Sequence, residues 1–291
     1  MEVEMDADTR VADRDGLLPE PAETTSRTRR WLDSRWRGPI GAGILAVLIY
    51  TLWQTAVSNA WISDIILPAP GDVIVAFAET IRSGFFYEHL WITTQEVLIG
   101  FGVGVVVGFT LGAWLGSSRL ARDVAYPYVV AFQGLPKIVL APIFVTALGF
   151  GMASKVVMAV VISFFPLLVN TEAGIATVDR DAVKLMQSLN ASKRDIFFRL
   201  ALPHSMPLIF AGLKTALTFA LVGAIVGEFV GAGSGLGYLL ESYAYQLQVP
   251  RVWAVTAVLA LMGVVLFLLV DYLDRKIVFW RSNGPNTGST L

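Results

Sequence analysis

Long apolar stretches, each bounded by short charged segments, set the pattern of the chain. Residues 38 to 63, 97 to 118 and 252 to 270 hold no charged side chain. Three further stretches, 124 to 148, 156 to 176 and about 206 to 230, carry only Lys137, Glu172, Lys214 and Glu228 between them. Each is long enough, as a helix, to cross roughly 30 Å of hydrocarbon. The pattern predicts an all-α integral membrane bundle of six transmembrane helices, occupying residues 38 to 280.

Breaker clusters lie between these runs. Leu67-Pro-Ala-Pro-Gly-Asp72 ends one element and starts the next, with Asp72 expected as the helix N-cap. A turn is expected over Gly149 to Ser154, and Pro136 interrupts the third crossing. In the second crossing, Gly100, Gly104, Gly108 and Gly112 recur every four residues, which lines one helix face with small residues and permits close packing.

Basic residues set the expected orientation. Arg27, Arg29, Arg30, Arg35 and Arg37 precede the first crossing, and Arg119, Arg122, the segment 179 to 203, and Arg275, Lys276 and Arg281 fall on the same side. The opposite side holds only Arg82, Lys155 and Arg251, so both termini are expected in the cytoplasm. Residues 1 to 37 mix nine acidic with seven basic side chains around Pro19 and Pro21, a composition expected to stay disordered. Residues 281 to 291 form a short C-terminal tail.

Residues 179 to 203 are a charged insert between the fourth and fifth crossings. With Lys184, Lys193, Arg194 and Arg199 they cannot lie in lipid. Their apolar spacing is helical, with Val183, Met186 and Leu189 on one face and Ile196, Phe197 and Leu200 on another after the turn-prone Asn190. Two short amphipathic helices with a bend between them are expected. With Phe197 and Phe198 expected to be exposed, the insert is more than a connector requires.

Composition agrees with a membrane protein: 55% of residues are hydrophobic and 15% charged, and the mean hydropathy is +0.63. A net charge of -1 with dispersed basic residues gives no nucleic-acid surface. There is no cysteine, and with His89 and His204 far apart no metal site is expected. No phosphate-binding Gly-x-x-x-x-Gly-Lys-[Ser/Thr] occurs, and Gly231 to Gly237 is flanked by membrane segments rather than by a strand and a helix. The chain carries no nucleotide site or cofactor motif.

Three charged residues inside the apolar runs or at their edge are candidates for a pore or gate: Glu228, Lys137 and Glu96. Glu228 has a second reading, in which it sits at the interface or caps the glycine-rich turn that follows. Lys137, beside Pro136, either faces a water-filled path at a kink or belongs to an inward-facing ion pair. The glycine ladder is read as packing, and His204 as a surface residue.

Across residues 60 to 280 the chain resembles the permeases of binding-protein-dependent ABC importers, closest to the nitrate, sulfonate, taurine and thiamine-precursor group. The likeness rests on Leu67-Pro-Ala-Pro-Gly-Asp72, Gly134-Leu-Pro-Lys-Ile-Val-Leu-Ala-Pro-Ile-Phe144, Ser163-Phe-Phe-Pro-Leu-Leu-Val-Asn170 and Val222-Gly-Ala-Ile-Val-Gly-Glu-Phe-Val-Gly231 with Gly235-Leu-Gly-Tyr-Leu-Leu240. It rests also on Leu189-Asn-Ala-Ser192 with Pro203 thirteen residues after Asn190, the pattern of the family's EAA loop. This chain has Lys184-Leu185-Met186 where that loop usually reads Glu-Ala-Ala, and Asn190 where it has glycine; asparagine tolerates the left-handed backbone such a turn needs.

The resemblance implies a transport subunit rather than an enzyme, in a bacterial inner membrane, carrying a small polar solute. It implies a second permease copy, a separate cytoplasmic ABC ATPase and an extracytoplasmic solute-binding protein as partners. The cytoplasmic coupling loop, with Leu189, Asn190, Ala191, Ser192, Lys193 and Arg194 at its tip, would dock on the ATPase. An ion-coupled secondary transporter or channel is the alternative; it predicts repeated halves, and none is visible.

Overall fold

The computed structural model describes residues 37–231 and 233–280. The expected tails, 1–37 and 281–291, lie outside the described residues apart from Arg37. The described chain is helical: α1 (Arg37–Ser58), α2 (Pro70–Arg82), α3 (Gly84–Ser117), α4 (Arg119–Gly134), a 3₁₀ turn (Lys137–Leu140), α5 (Ala141–Leu148) and α6 (Met152–Ala176). Then follow α7 (Arg180–Ser188), α8 (Lys193–Ile196), a wide π turn (Phe197–Ala201), α9 (Leu202–Gly231), α10 (Leu236–Tyr245) and α11 (Val249–Ile277). The start of α1 is a unit by itself, apolar and exposed from Ile40 to Ile49, while the chain from Tyr50 onward forms a second compact unit.

Among the described residues, α1, α3, α6, α11 and the continuous stretch from Lys193 through α9 are long and apolar enough to span a membrane. A sixth span results if α4 and the Lys137–Leu148 segment count as one, since the two are bent by 84° at a short break. The break has a local cause: Pro136 has no N–H to continue α4, so the helix stops after Gly134 and restarts as a 3₁₀ turn.

Helices α3, α6 and α9 form the centre. The glycine ladder is what brings α3 against α6. A Cβ on Gly112 would lie 2.5 Å from the Leu168 carbonyl oxygen and 2.7 Å from Thr171 Cβ, and Gly100, Gly104 and Gly108 press equally on α6. Gly102, off that face, has open space around it. On α9, Gly223 and Gly227 meet the other side of α6 at Ala159 and Lys155. Small residues let three backbones approach within contact of one another, which in lipid, where burial of apolar surface drives little, supplies the packing energy.

Several boundaries differ from the sequence reading. Helix α3 begins at Gly84 and so carries Glu88 and Glu96, and α6 begins at Met152 and carries Lys155. Lys155 is therefore not an outer-loop cation: it is buried and lies 3.4 Å from the Glu96 carboxylate. Charge-free windows end where a charge appears, whereas a helix continues through charges that find partners inside the bundle. Asp72 is not the N-cap; Ala69 is, Pro70 starts the helix, and Asp72 falls in its first turn, where its charge still favours the helix N-terminus.

Candidate functional site

The insert folds as expected into two short helices joined by a tight turn. Asp179 caps α7, its side chain accepting the Asp181 N–H at 2.9 Å. At the other end Asn190 takes a left-handed backbone, φ 58°. The Asn190 N–H then donates to Gln187 O at 3.0 Å and the Ala191 N–H to Met186 O at 3.0 Å. This paired arrangement satisfies the last carbonyls of α7 in the manner of a glycine-terminated helix. Immediately after, Ser192 and Asp195 form a capping box that starts α8: Asp195 N–H donates to Ser192 Oγ at 3.2 Å, and Ser192 N–H to an Asp195 carboxylate oxygen at 3.3 Å.

The turn from Leu189 to Arg194 is thus held from both sides, yet it projects outward. Leu189 is 73% exposed, Leu185 62% and Phe198 62%, while Ala191 is half-buried. The inner face is built from Val183, Gln187, Ile196 and Phe197, which with Gly116, Ile175 and Val178 at the ends of α3 and α6 line a cleft of about 380 Å³. Phe197 is half-buried rather than exposed, so only Phe198 of the pair faces outward. The π turn from Phe197 to Ala201 joins α8 to α9 without a loop, making one continuous helical path from the insert into the core.

At the far end of α9, Glu228 is fully buried. Its carboxylate accepts the Thr93 hydroxyl at 2.6 Å and the Gly237 N–H. Thr93 in turn accepts the Leu236 N–H at 2.7 Å, and His89 Nδ1 accepts the Gly235 N–H at 2.8 Å. Three successive amides that begin α10 are therefore fastened to side chains of α3 and α9. Gly235 has φ 111°, and a Cβ there would run into the Glu228 carboxylate. Glu228 caps the glycine-rich turn, and Glu96, also fully buried, lies beside it on α3, paired with Lys155.

Lys137 is not part of that cluster. Its Nζ lies 5.4 Å from the Phe132 ring centroid and 5.1 Å from that of Phe165, and it donates a hydrogen bond to Gln133 O at 3.5 Å. Near the opposite end of the bundle, Lys214 of α9 bridges Asp271 at 2.6 Å and Asp274 at 2.7 Å on α11. His204 is exposed. Of the residues now seen to hold the polar cluster, Thr93 and His89 carried no sequence signal for it. Both lie on the α3 face opposite no obvious partner until the turn after α9 folds back on them.

Residues 104–279 match the family described as the binding-protein-dependent transport system inner membrane component. The chain belongs to this family. A formylaminopyrimidine transport permease of Halalkalibacterium halodurans is 34% identical over 216 residues, covering 74% of this chain and 86% of that protein. A riboflavin transport system permease of Chloroflexus aurantiacus is 30% identical, covering 84% and 91%. A taurine transport system permease of Escherichia coli is 26% identical, covering 85% and 94%. In fold, the permease is similar to an inward-facing methionine ABC transporter, with a TM-score of 0.56 at 20% identity, over 67% of this chain and 95% of that one. It is a multi-pass inner-membrane permease subunit of an ABC importer, a transport protein and not an enzyme.

Proposed function

We propose that two copies of this permease form the translocation pathway for a small polar solute, delivered by an extracytoplasmic binding protein and driven by a separate cytoplasmic ABC ATPase. The observation that carries the reading is the tip of the insert. Leu189, Asn190, Ala191, Ser192, Lys193 and Arg194 are held in one conformation by a helix stop and a helix start, and offer exposed apolar and basic groups. A flexible connector has no need of either cap. Because α8 runs into α9 through the π turn, a push on the tip moves α9 as a rigid element, and with it the Glu228 cluster at the other end. The relatives' solutes, a formylaminopyrimidine, riboflavin, aliphatic sulfonates and taurine, support a vitamin or its precursor, or a small sulfonate, as cargo. A second copy would cover exposed apolar side chains of the broken helix, among them Tyr128 and Ile143. In this reading both termini and the insert face the cytoplasm.

The test is Ala191→Glu. A carboxylate set against a docked ATPase is a buried unmatched charge, which costs several kcal/mol and weakens assembly by orders of magnitude. Ala191→Glu should fold normally, lose its ATPase on co-purification and lose uptake, whereas Ser83→Glu, on the other side, should retain both. Retention of the ATPase together with coupled uptake by Ala191→Glu overturns this assignment.

A further inference from the structure

Lys137 sits where a charge is hardest to keep. The ring it lies against, Phe165, is the fourteenth residue of α6, which runs from Met152 to Ala176. At a 1.5 Å rise per residue, the ammonium is level with a point about 20 Å from one end of that span and about 16 Å from the other. This is the middle of that span. An ammonium there must face water or an acidic partner.

No such partner is at hand. None of the ion pairs among the described residues includes Lys137. Among the carboxylates of the long described helices, Glu96 and Glu228 are fully buried inside their own bundle, Glu172 pairs with Arg122, and Asp271 and Asp274 are held by Lys214. Phe132 and Phe165 fix the position of the ammonium through their ring faces without neutralising it. Among the described residues only the Gln133 carbonyl takes one of its protons, which leaves donors for a ligand. The surrounding backbone is the broken helix, with its 84° bend, an irregularity that membranes accommodate at buried or water-lined positions. A cleft of about 210 Å³ adjoins it, lined by Leu135, Lys137, Ile138, Ile162, Phe165 and Phe219 among others.

We infer that Lys137 is a cationic subsite open to water in the translocation path, placed to bind the anionic group of the passing solute, such as a sulfonate or carboxylate. The inference rests on the permease reading above but not on the docking assignment. The two aromatic rings hold the charge at the pivot of the bend, where the apolar cleft accepts the rest of a small solute.

The test uses this cysteine-free chain with a single cysteine at Ile138, an exposed neighbour in the same cleft. Inner-membrane vesicles of both orientations, carrying the permease with its ATPase, are treated with two impermeant thiol reagents of equal reach. One is the anionic 2-sulfonatoethyl methanethiosulfonate, itself an alkyl sulfonate; the other is the cationic trimethylammonioethyl analogue. With Lys137 present, the anionic reagent should react faster at Ile138→Cys from at least one side. Lys137→Met should lower the anionic-to-cationic rate ratio at least tenfold, and Lys137→Arg should restore it. A cysteine at Ser83 should show the same ratio in all three backgrounds. No reaction at Ile138→Cys from either side, or a ratio indifferent to the charge at Lys137, overturns the proposal. Neither result depends on Ala191, so failure here is distinguishable from failure of the docking assignment.

Discussion

Thr93→Val isolates the fastening of the glycine-rich turn. The substitution keeps the shape of a fully buried side chain and removes only its hydroxyl, which now donates to Glu228 at 2.6 Å and accepts from Leu236 N–H at 2.7 Å. Two buried groups lose a partner. Glu228 keeps the Gly237 N–H, but the Leu236 amide is left with none in that position. Leaving that amide unsatisfied costs about 1–3 kcal/mol and the lost Glu228 bond about 1 kcal/mol more, about 2–4 kcal/mol together. For a domain of this size about 1 kcal/mol corresponds to about 2–4 °C, so the detergent-solubilised protein should melt roughly 4–16 °C lower. Thr93→Ser retains the hydroxyl and loses one methyl, about 1 kcal/mol, and should melt close to the parent. Thermal unfolding followed by size-exclusion fluorescence separates the two, and amide exchange at residues 235 to 237 should accelerate in Thr93→Val alone. A Thr93→Val protein within about 2 °C of the parent, or a Thr93→Ser protein equally damaged, would show that the hydroxyl is not what holds the turn.

The glycine ladder should be specific to its face. Gly108→Ala forces a methyl against the Phe164 carbonyl and Leu167 and should cost about 1–3 kcal/mol, whereas Gly102→Ala, with open space around it, should be neutral or stabilising by about 0.5–1 kcal/mol; melting temperatures decide. Orientation is checked by cysteines placed singly at Ser192 and Ser83 in intact cells. An impermeant thiol reagent should label the second and not the first, and the reverse pattern refutes cytoplasmic placement of the insert.

The hydropathy pattern by itself determined that this is an all-helical membrane protein, where its apolar stretches fall, and where the charged insert lies. Those are properties of windows of sequence, because a bilayer selects for apolar length regardless of what the helix packs against. The four-residue glycine spacing and the Asn190 turn were legible for a similar reason: each is a local geometric requirement. The partner of the ladder was not, since nothing in α3 states that Ser163, Phe164 and Leu168 will lie opposite it. The tertiary structure alone decided the fate of the buried charges. Glu96, Lys155 and Glu228 lie far apart in sequence, on three different helices, and become neighbours only when α3, α6 and α9 pack. In sequence they resemble Lys137; in space the first three are enclosed beside one another, and Lys137 is held by two rings with no ion pair among the described residues. The cost of a charge in a membrane is set by what surrounds it, and those surroundings come from other helices.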